Sequence, residues 1–213
     1  MNREQWQPFL KLWSEEWIAG HDPERDAPLD EGAVRNGWLG FAPASVDEVA
    51  AAEARLGRAL PPSLREFLLT TNGWREAGNF IYRLAGSSEL AWLADTDDSG
   101  WIEAYSDTEF ADEDDEDDED DEDDEDDEDD EDDEDIEPEG EILARSLRLS
   151  LEGDAAVMLL DPKDVDERGE WAGYWLASWS GMGPERFDSF YDLMYDQYTG
   201  FHNLREGRGE SAS

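Results

Sequence analysis

The chain has 213 residues, of which 60 are Asp or Glu and 16 are Lys or Arg, so its formal charge at neutral pH is −44. This charge argues against direct binding to nucleic acid phosphates or to an anionic membrane surface, because like charges repel over roughly 8 Å at physiological salt. No cysteine is present, which excludes disulfide frameworks, thiolate zinc sites and cysteine nucleophiles.

Hydrophobic residues make up 38% of the chain, which is enough for a core. The N-terminal residues lack a basic stretch followed by an apolar one, and no apolar run approaches the roughly 20 residues that cross a bilayer. We therefore expect a cytoplasmic protein with no membrane contact.

Two helices are predicted early in the chain. The first has apolar residues at i, i+3, i+4, i+7 and i+11, the spacing of one helix face: Trp6, Phe9, Leu10, Trp13 and Trp17. The second begins at Ser45, which precedes Glu48 in a capping-box pattern, and ends at Gly57.

A third helix is predicted after Pro61 and Pro62. We expect it to end at Asn72 and Gly73, because both residue types tolerate a positive φ. The second and third helices would form a helix–turn–helix unit.

Short strand-like runs follow. They cover residues 80–84, 101–105, 156–160 and 174–179, while residues 90–93 fit either a helix or a strand. A final amphipathic helix is predicted from the spacing of Phe187, Phe190, Tyr191, Met194, Tyr195 and Tyr198. This order predicts an α+β fold with a mixed or antiparallel sheet flanked by helices.

Residues 112–135, here called the acidic segment, consist of eight Asp-Glu-Asp triplets. Removing their 24 carboxylates from the total of −44 leaves −20, so the rest of the chain is acidic as well. Because like charges at i, i+3 and i, i+4 disfavour a helix, we expect the acidic segment to be a disordered, solvated loop.

The acidic segment is expected to interrupt one domain rather than to link two. The residues after it, 136–213, are few for an independent core. A long loop adds little closure entropy, which grows only with the logarithm of its length. We predict an N-terminal helix and loop extension over residues 1–37 and a single domain over residues 38–213, with the insertion at 112–135.

Residues 46–74 resemble the SUKH superfamily, which includes Smi/Knr-type cell-wall-assembly regulators and bacterial immunity proteins. The resemblance rests on a helix ending in a Leu-Gly turn, a Leu-Pro pair, a Phe-Leu helix and an Asn-Gly-aromatic turn: Glu53, Leu56, Gly57, Leu60, Pro61, Phe67, Leu68, Asn72, Gly73 and Trp74. Residues 157–162, 171–179 and 186–194 are similar to later parts of the family pattern. The acidic segment departs from that pattern.

The resemblance implies a protein that binds rather than catalyses. Many bacterial members of this family are taken to be antitoxins that bind and neutralise a cognate toxin, often a nuclease. The expected partner is therefore a protein, and the charge of the chain favours a basic one.

Catalytic and metal-binding patterns are weak in the sequence. The two histidines, His21 and His202, form no metal-ligand motif, and there is no P-loop, dinucleotide fingerprint or nucleophile elbow. The acidic segment lacks the EF-hand pattern and would collect cations only diffusely. We predict no enzyme activity, no cofactor and no specific metal.

A partner surface is predicted in the middle of the chain. Most of the tryptophans follow helical or strand spacing, which indicates the core, but two do not. The candidate partner-binding residues are these two and the acidic residues that follow: Trp74, Trp92, Asp95, Asp97, Asp98, Glu103 and Asp107.

We expect the protein to be an immunity protein that binds and neutralises a basic toxin. One alternative is a regulatory scaffold of the Smi/Knr type, with the acidic segment as an interaction arm. A DNA mimic is less favoured, because a floppy segment does not fix charges at duplex spacing.

Overall fold

The computed structural model describes residues 1–24, 28–78, 80–106, 138–180 and 183–210. The acidic segment lies outside these residues. The helices of the described chain are α1 (Arg3–Ala19), α2 (Glu31–Asn36), α3 (Val46–Leu56), α4 (Pro62–Leu68), α5 (Gly100–Ala104), α6 (Glu139–Arg145) and α7 (Phe190–Glu210). No helix of the described residues is long and apolar enough to cross a membrane.

Local capping signals explain where α3 begins and ends. The carboxylate of Glu48 accepts a hydrogen bond from the backbone N–H of Ser45 at 2.8 Å, and the hydroxyl of Ser45 accepts one from the N–H of Glu48 at 3.2 Å. At the other end Gly57 has φ +71°, a left-handed conformation that glycine adopts without strain. The predicted second helix is confirmed.

Helix α4 ends four residues earlier than predicted, at Leu68. The chain turns there because the N–H groups of Thr70 and Thr71 both donate to the carbonyl of Phe67. The N–H of Asn72 then pairs with Ala42 and not with the helix. Gly73 has a positive φ of +107°, but it lies in the loop after the helix.

Two antiparallel sheets lie beside the helices, so the predicted α+β class with flanking helices is confirmed. The first has the order β1-β2-β5, and the second has the order β3-β4-β6-β7-β8. The strands are β1 (Trp74–Gly78), β2 (Ile81–Leu84), β3 (Ala91–Trp92), β4 (Leu147–Arg148), β5 (Ser150–Gly153), β6 (Ala156–Val165), β7 (Trp171–Ala177) and β8 (Glu185–Phe187).

The central strands of the second sheet are buried on both faces, which explains why the first half of β6 and the whole of β7 are apolar. On β6, Met158 and Leu160 belong to the main core, while Val157 and Leu159 belong to a smaller cluster on the opposite face. This alternation follows from the period of two along a strand. Helices α5 and α6 cover the smaller cluster.

Three predicted elements are corrected. Residues 101–105 are not a strand, because Trp101 and Ile102 lie in helix α5 and Tyr105 caps its end, and all three pack on the smaller cluster. The last helix starts at Phe190, since Phe187 lies in β8. Trp179 lies in the turn after β7 and is half-exposed.

The main core contains residues from both sides of the acidic segment and from α1. The indole of Trp6 lies 5.3 Å from the ring of Phe67 and 5.6 Å from the ring of Phe190, measured between centroids. Residues before and after the insertion therefore contribute to a common hydrophobic cluster. The boundary between an extension over residues 1–37 and a domain over 38–213 stays a prediction.

Candidate interaction surface

Most of the predicted acidic residues lie on one small layer, here called the acidic layer: two 3₁₀ turns (Leu93–Asp95 and Asp97–Ser99), α5 and α6. Buried Leu93 and Leu143 anchor this layer on the second sheet. Asp95, Asp97 and Glu103 are exposed. The layer therefore presents carboxylates outward while its apolar side chains pack inward.

The acidic layer also holds residues at or near the two described ends of the chain that flank the acidic segment, Ser106 and Gly140. Ser106 follows α5, and Gly140 is in the first turn of α6. A Cβ built at Gly140 would lie 3.0 Å from the Cα of Ser106, so the two backbones are in close contact. The described ends of the chain on the two sides of the insertion therefore meet at one place on the surface.

Arginines near the acidic layer are engaged in ion pairs with aspartates. The guanidinium of Arg145 donates to both carboxylate oxygens of Asp161, at 2.8 and 2.6 Å, and the Asp161 side chain is fully buried. Arg148 pairs with the half-buried Asp98. Burial, together with the nearby Glu139, raises the pKa of the Tyr105 phenol. Because both arginines are engaged in these pairs, the exposed carboxylates of Asp95, Asp97 and Glu103 give the layer a net negative charge.

Trp92 lies at the edge of the second sheet. Its ring stacks on that of Trp171 with centroids 6.4 Å apart, and it is half-buried against the main core. Trp92 is only partly buried, and its role at an interface stays a prediction.

Trp74 does not fit the surface predicted for it. Its side chain is fully buried in β1. It packs edge-on against Trp38 at 5.3 Å and lies 6.0 Å from Trp13. The expected exposure of Trp74 is wrong because the residue after the Asn-Gly turn begins a strand, which the sequence reasoning missed. Asp107 lies outside the described residues.

The described residues contain no group of three or more His, Asp or Glu side chains that could hold a metal ion. The histidine on α7, His202, has its Nε2 atom 3.1 Å from a carboxylate oxygen of Glu16. His21 lines an apolar cleft near the N-terminus with Ile18 and Val34.

The motif residues of the helix–turn–helix region have structural roles. The carboxylate of Glu53 accepts a hydrogen bond from the N–H of Leu60 at 3.1 Å, which fixes the turn after α3. The Asn72 side chain accepts one from the N–H of Ser87 at 2.6 Å, joining the turn after α4 to the loop after β2. Glu53 therefore shapes the connection between the two helices, and Asn72 links the end of this region to the loop that follows the first sheet's strand β2.

The sequence profile of the SMI1 / KNR4 family (SUKH-1) matches residues 43–196, more than half of the chain. The chain belongs to this family. Membership in SUKH-1 supports a protein-interaction or immunity-type domain and suggests a protein partner. No curated protein and no solved structure matches the chain.

The SUKH-1 motif does not by itself locate a partner surface. Its residues build the core and the turns, as Glu53, Asn72 and Trp74 do. The exposed carboxylates of the acidic layer lie outside this motif.

Proposed function

We propose that this SUKH-1 protein is a non-enzymatic immunity protein that binds and neutralises a basic toxin. The observation that supports the proposal most is the acidic layer, whose exposed Asp95, Asp97 and Glu103 lie on the same layer as the meeting point of Ser106 and Gly140. The layer and the 24 carboxylates of the acidic segment would attract the same cationic partner.

The proposed mechanism separates the rate of association from specificity. Electrostatic attraction raises association rates by roughly 10- to 1,000-fold and weakens as salt rises. Dissociation depends instead on well-packed contacts between folded surfaces. The acidic segment would speed the encounter, and the folded surface would retain the toxin and cover its active region.

The experiment compares the full chain with a variant in which the acidic segment is replaced by an equally long Gly-Ser sequence. Each is used to capture partners from the native host at about 0.1 M and about 1 M salt, where the Debye length is about 10 and 3 Å. The captured polypeptide is then expressed with and without the chain, and growth is measured.

One dominant basic polypeptide that arrests growth, with growth restored by the chain, is the expected result. The Gly-Ser variant should bind the same polypeptide with slower association at low salt. Many partners of moderate affinity and no growth arrest would favour the regulatory scaffold. Capture of DNA-binding proteins alone would favour a DNA mimic, and either result would contradict the proposal.

A further inference from the structure

Phe80 and Trp179 form an exposed aromatic pair. Exposed Tyr82 lies two residues after Phe80, and the three side chains are here called the aromatic patch. In chain order, their exposed fractions are 41, 46 and 49%. The rings of Phe80 and Trp179 meet edge to face with centroids 4.6 Å apart. Large aromatic side chains that are clustered and half-exposed are typical of interaction sites, because they give a large contact area and lose little conformational entropy on binding.

Three chain turns converge to build this patch. Phe80 lies in the turn between β1 and β2, Ala155 in the turn between β5 and β6, and Trp179 after β7. The carbonyl of Phe80 accepts a hydrogen bond from the N–H of Asp154 at 2.8 Å, and the carbonyl of Ala155 accepts one from the N–H of Ser178 at 3.0 Å. Backbone hydrogen bonds therefore hold the aromatic patch in place.

Two of these turns hold residues in a left-handed backbone conformation that L side chains rarely adopt. Phe80 has φ +66° and Ala155 has φ +48°, although neither is a glycine. Such conformations persist only where the surrounding contacts enforce them, and they concentrate at functional sites. Phe80 therefore places an aromatic ring at the surface although its backbone conformation is strained.

A groove lies between Tyr82, one member of the aromatic patch, and the acidic layer. It has a volume of about 310 Å³ and is lined by residues that include Tyr82, Asp98, Trp101, Glu152 and Ala155. One wall belongs to the first sheet through β2 and β5, and another to α5 and the start of β6. This volume accommodates only a few side chains, so an extended segment fits better than a helix or a folded surface.

The charges around the groove and patch are negative. Glu152 lines the groove, and Asp154 and Glu76 act electrostatically on the Tyr82 phenol, whose pKa is raised first by burial and then by these two carboxylates. Arg83 lies nearby, but it pairs with Glu89 at 2.6 Å and with Glu152 at 3.6 Å. Arg148 likewise pairs with Asp98 of the groove. These two arginines do not balance the carboxylates of Asp98, Glu152, Asp154, Glu76 and Glu89, so the surface has a net negative charge that favours cations.

We propose that the aromatic patch and its groove bind an extended, arginine-bearing segment of a protein partner. A guanidinium group stacks on aromatic faces and forms charge-assisted hydrogen bonds with carboxylates. This surface offers both aromatic rings and carboxylates. A nucleic acid would be repelled by the carboxylates. A second copy of a chain with a charge of −44 would be repelled as well.

This inference rests on the proposed function, because it gives the cationic partner a docking surface on the fold. The probe is a synthetic peptide of alternating Arg and Leu residues, and a peptide of alternating Glu and Leu is its charge-reversed control. Full-length chains are labelled with 5-fluorotryptophan, and binding is followed by fluorine NMR at about 0.15 M salt. The resonance of Trp179 is identified by its loss in Trp179→Ala.

Three variants separate the patch from general attraction to acidic residues. Trp179→Ala and Phe80→Asn each remove a ring of the patch, and asparagine is among the residues that tolerate the backbone conformation at Phe80. Tyr195→Ala is the matched control, because Tyr195 is also 49% exposed but lies on α7. Urea unfolding of each variant verifies that it is folded.

We expect the Arg-Leu peptide to shift the Trp179 resonance and to bind Trp179→Ala and Phe80→Asn about tenfold more weakly than the unaltered chain. Binding to Tyr195→Ala should be unchanged. Equal affinity for all folded variants, or no shift of the Trp179 resonance, would overturn the docking site while leaving a cationic partner in place. Equal binding of the Glu-Leu peptide would overturn the proposed function itself.

Discussion

The carboxylate of Glu170 accepts hydrogen bonds from both the backbone N–H and the hydroxyl of Ser63, at 3.0 and 2.6 Å. Helix α4 begins after Pro61, and proline has no side-chain acceptor for the first N–H groups of the helix. Glu170 acts as a cap from a distant part of the chain. Because the two residues lie on opposite sides of the acidic segment, this contact joins the parts of the fold that the insertion separates.

Replacing Glu170 should therefore destabilise the fold. In Glu170→Ala the buried N–H and hydroxyl of Ser63 lose their acceptor, so we expect the free energy of unfolding to fall by about 1–3 kcal/mol. Urea unfolding measures the change. Glu167→Ala, at an exposed position of the same turn, is the control and should change the free energy by less than about 0.5 kcal/mol. Equal effects of the two substitutions would contradict the capping role.

Deleting residues 112–135 should leave a folded protein that unfolds in one cooperative transition. Ser106 and Gly140 are already in contact, so a shorter connection can still close. A shorter loop costs less closure entropy, about 0.6 kcal/mol per halving, and removing 24 like charges reduces repulsion. We expect the free energy of unfolding to rise by about 1 kcal/mol. Loss of cooperative unfolding on deletion would refute the insertion interpretation.

The strained turn between β5 and β6 should become more stable when its residue is replaced by glycine. Ala155 has φ +48°, where a Cβ atom is unfavourable, so Ala155→Gly should raise the free energy of unfolding by about 0.5–1 kcal/mol. The control is Ala51→Gly on the exposed face of α3, which should lower the same free energy by about 0.5–1 kcal/mol. Thermal unfolding of both variants tests the opposite signs.

The contact between α1 and α7 should depend on alkaline pH. The hydroxyl of Tyr198 donates to a carboxylate oxygen of Glu16 at 2.6 Å. Burial and this carboxylate raise the pKa of Tyr198 to about 12. Since the folded pKa exceeds the ordinary value of about 10, the protonated phenol stabilises the fold below pH 10, and this contribution is lost between about pH 10 and 12.

Tyr198→Phe should lower the free energy of unfolding at pH 8 by about 1 kcal/mol and reduce its decline between pH 10 and 12. Tyr195→Phe, which alters the exposed ring on the same helix, is the control and should keep the decline of the unaltered chain. Urea unfolding at several pH values gives both quantities. An unchanged decline in Tyr198→Phe would show that this phenol does not couple to folding.

Sequence patterns predict the secondary structure correctly where the interactions that decide it are between neighbouring residues. The face of α1, the capping box of Ser45 and Glu48, and the glycine stop of α3 involve residues within one or two turns of each other. The strand over residues 101–105 was misassigned because its apolar residues also fit a helix face. Whether these residues form a strand or a helix depends on their packing against Leu93 and Leu143. The spacing of apolar residues over so short a stretch does not distinguish the two.

The predicted partner residues also differ in how far the sequence alone locates them. Charged side chains such as Asp95 and Glu103 lie at the surface because burying a carboxylate is costly unless it is paired or hydrogen-bonded, as the buried Asp161 and Glu170 are, so exposure is the ordinary expectation for these residue types. An indole can lie inside or outside, and its place is set by the neighbours that cover it. Trp74 is covered by Trp13 and Trp38, while Trp179 extends from a turn beside Phe80.

The amino-acid sequence alone determined the acidic character, the family, the α+β class and the main helices, because charge count, capping and periodicity are properties of neighbouring residues. Tertiary structure decided which aromatic rings are exposed, which carboxylates face a groove and how Glu170 reaches Ser63. These features join residues that are far apart in the chain. Such contacts follow from the packing of whole elements, and no local pattern encodes them.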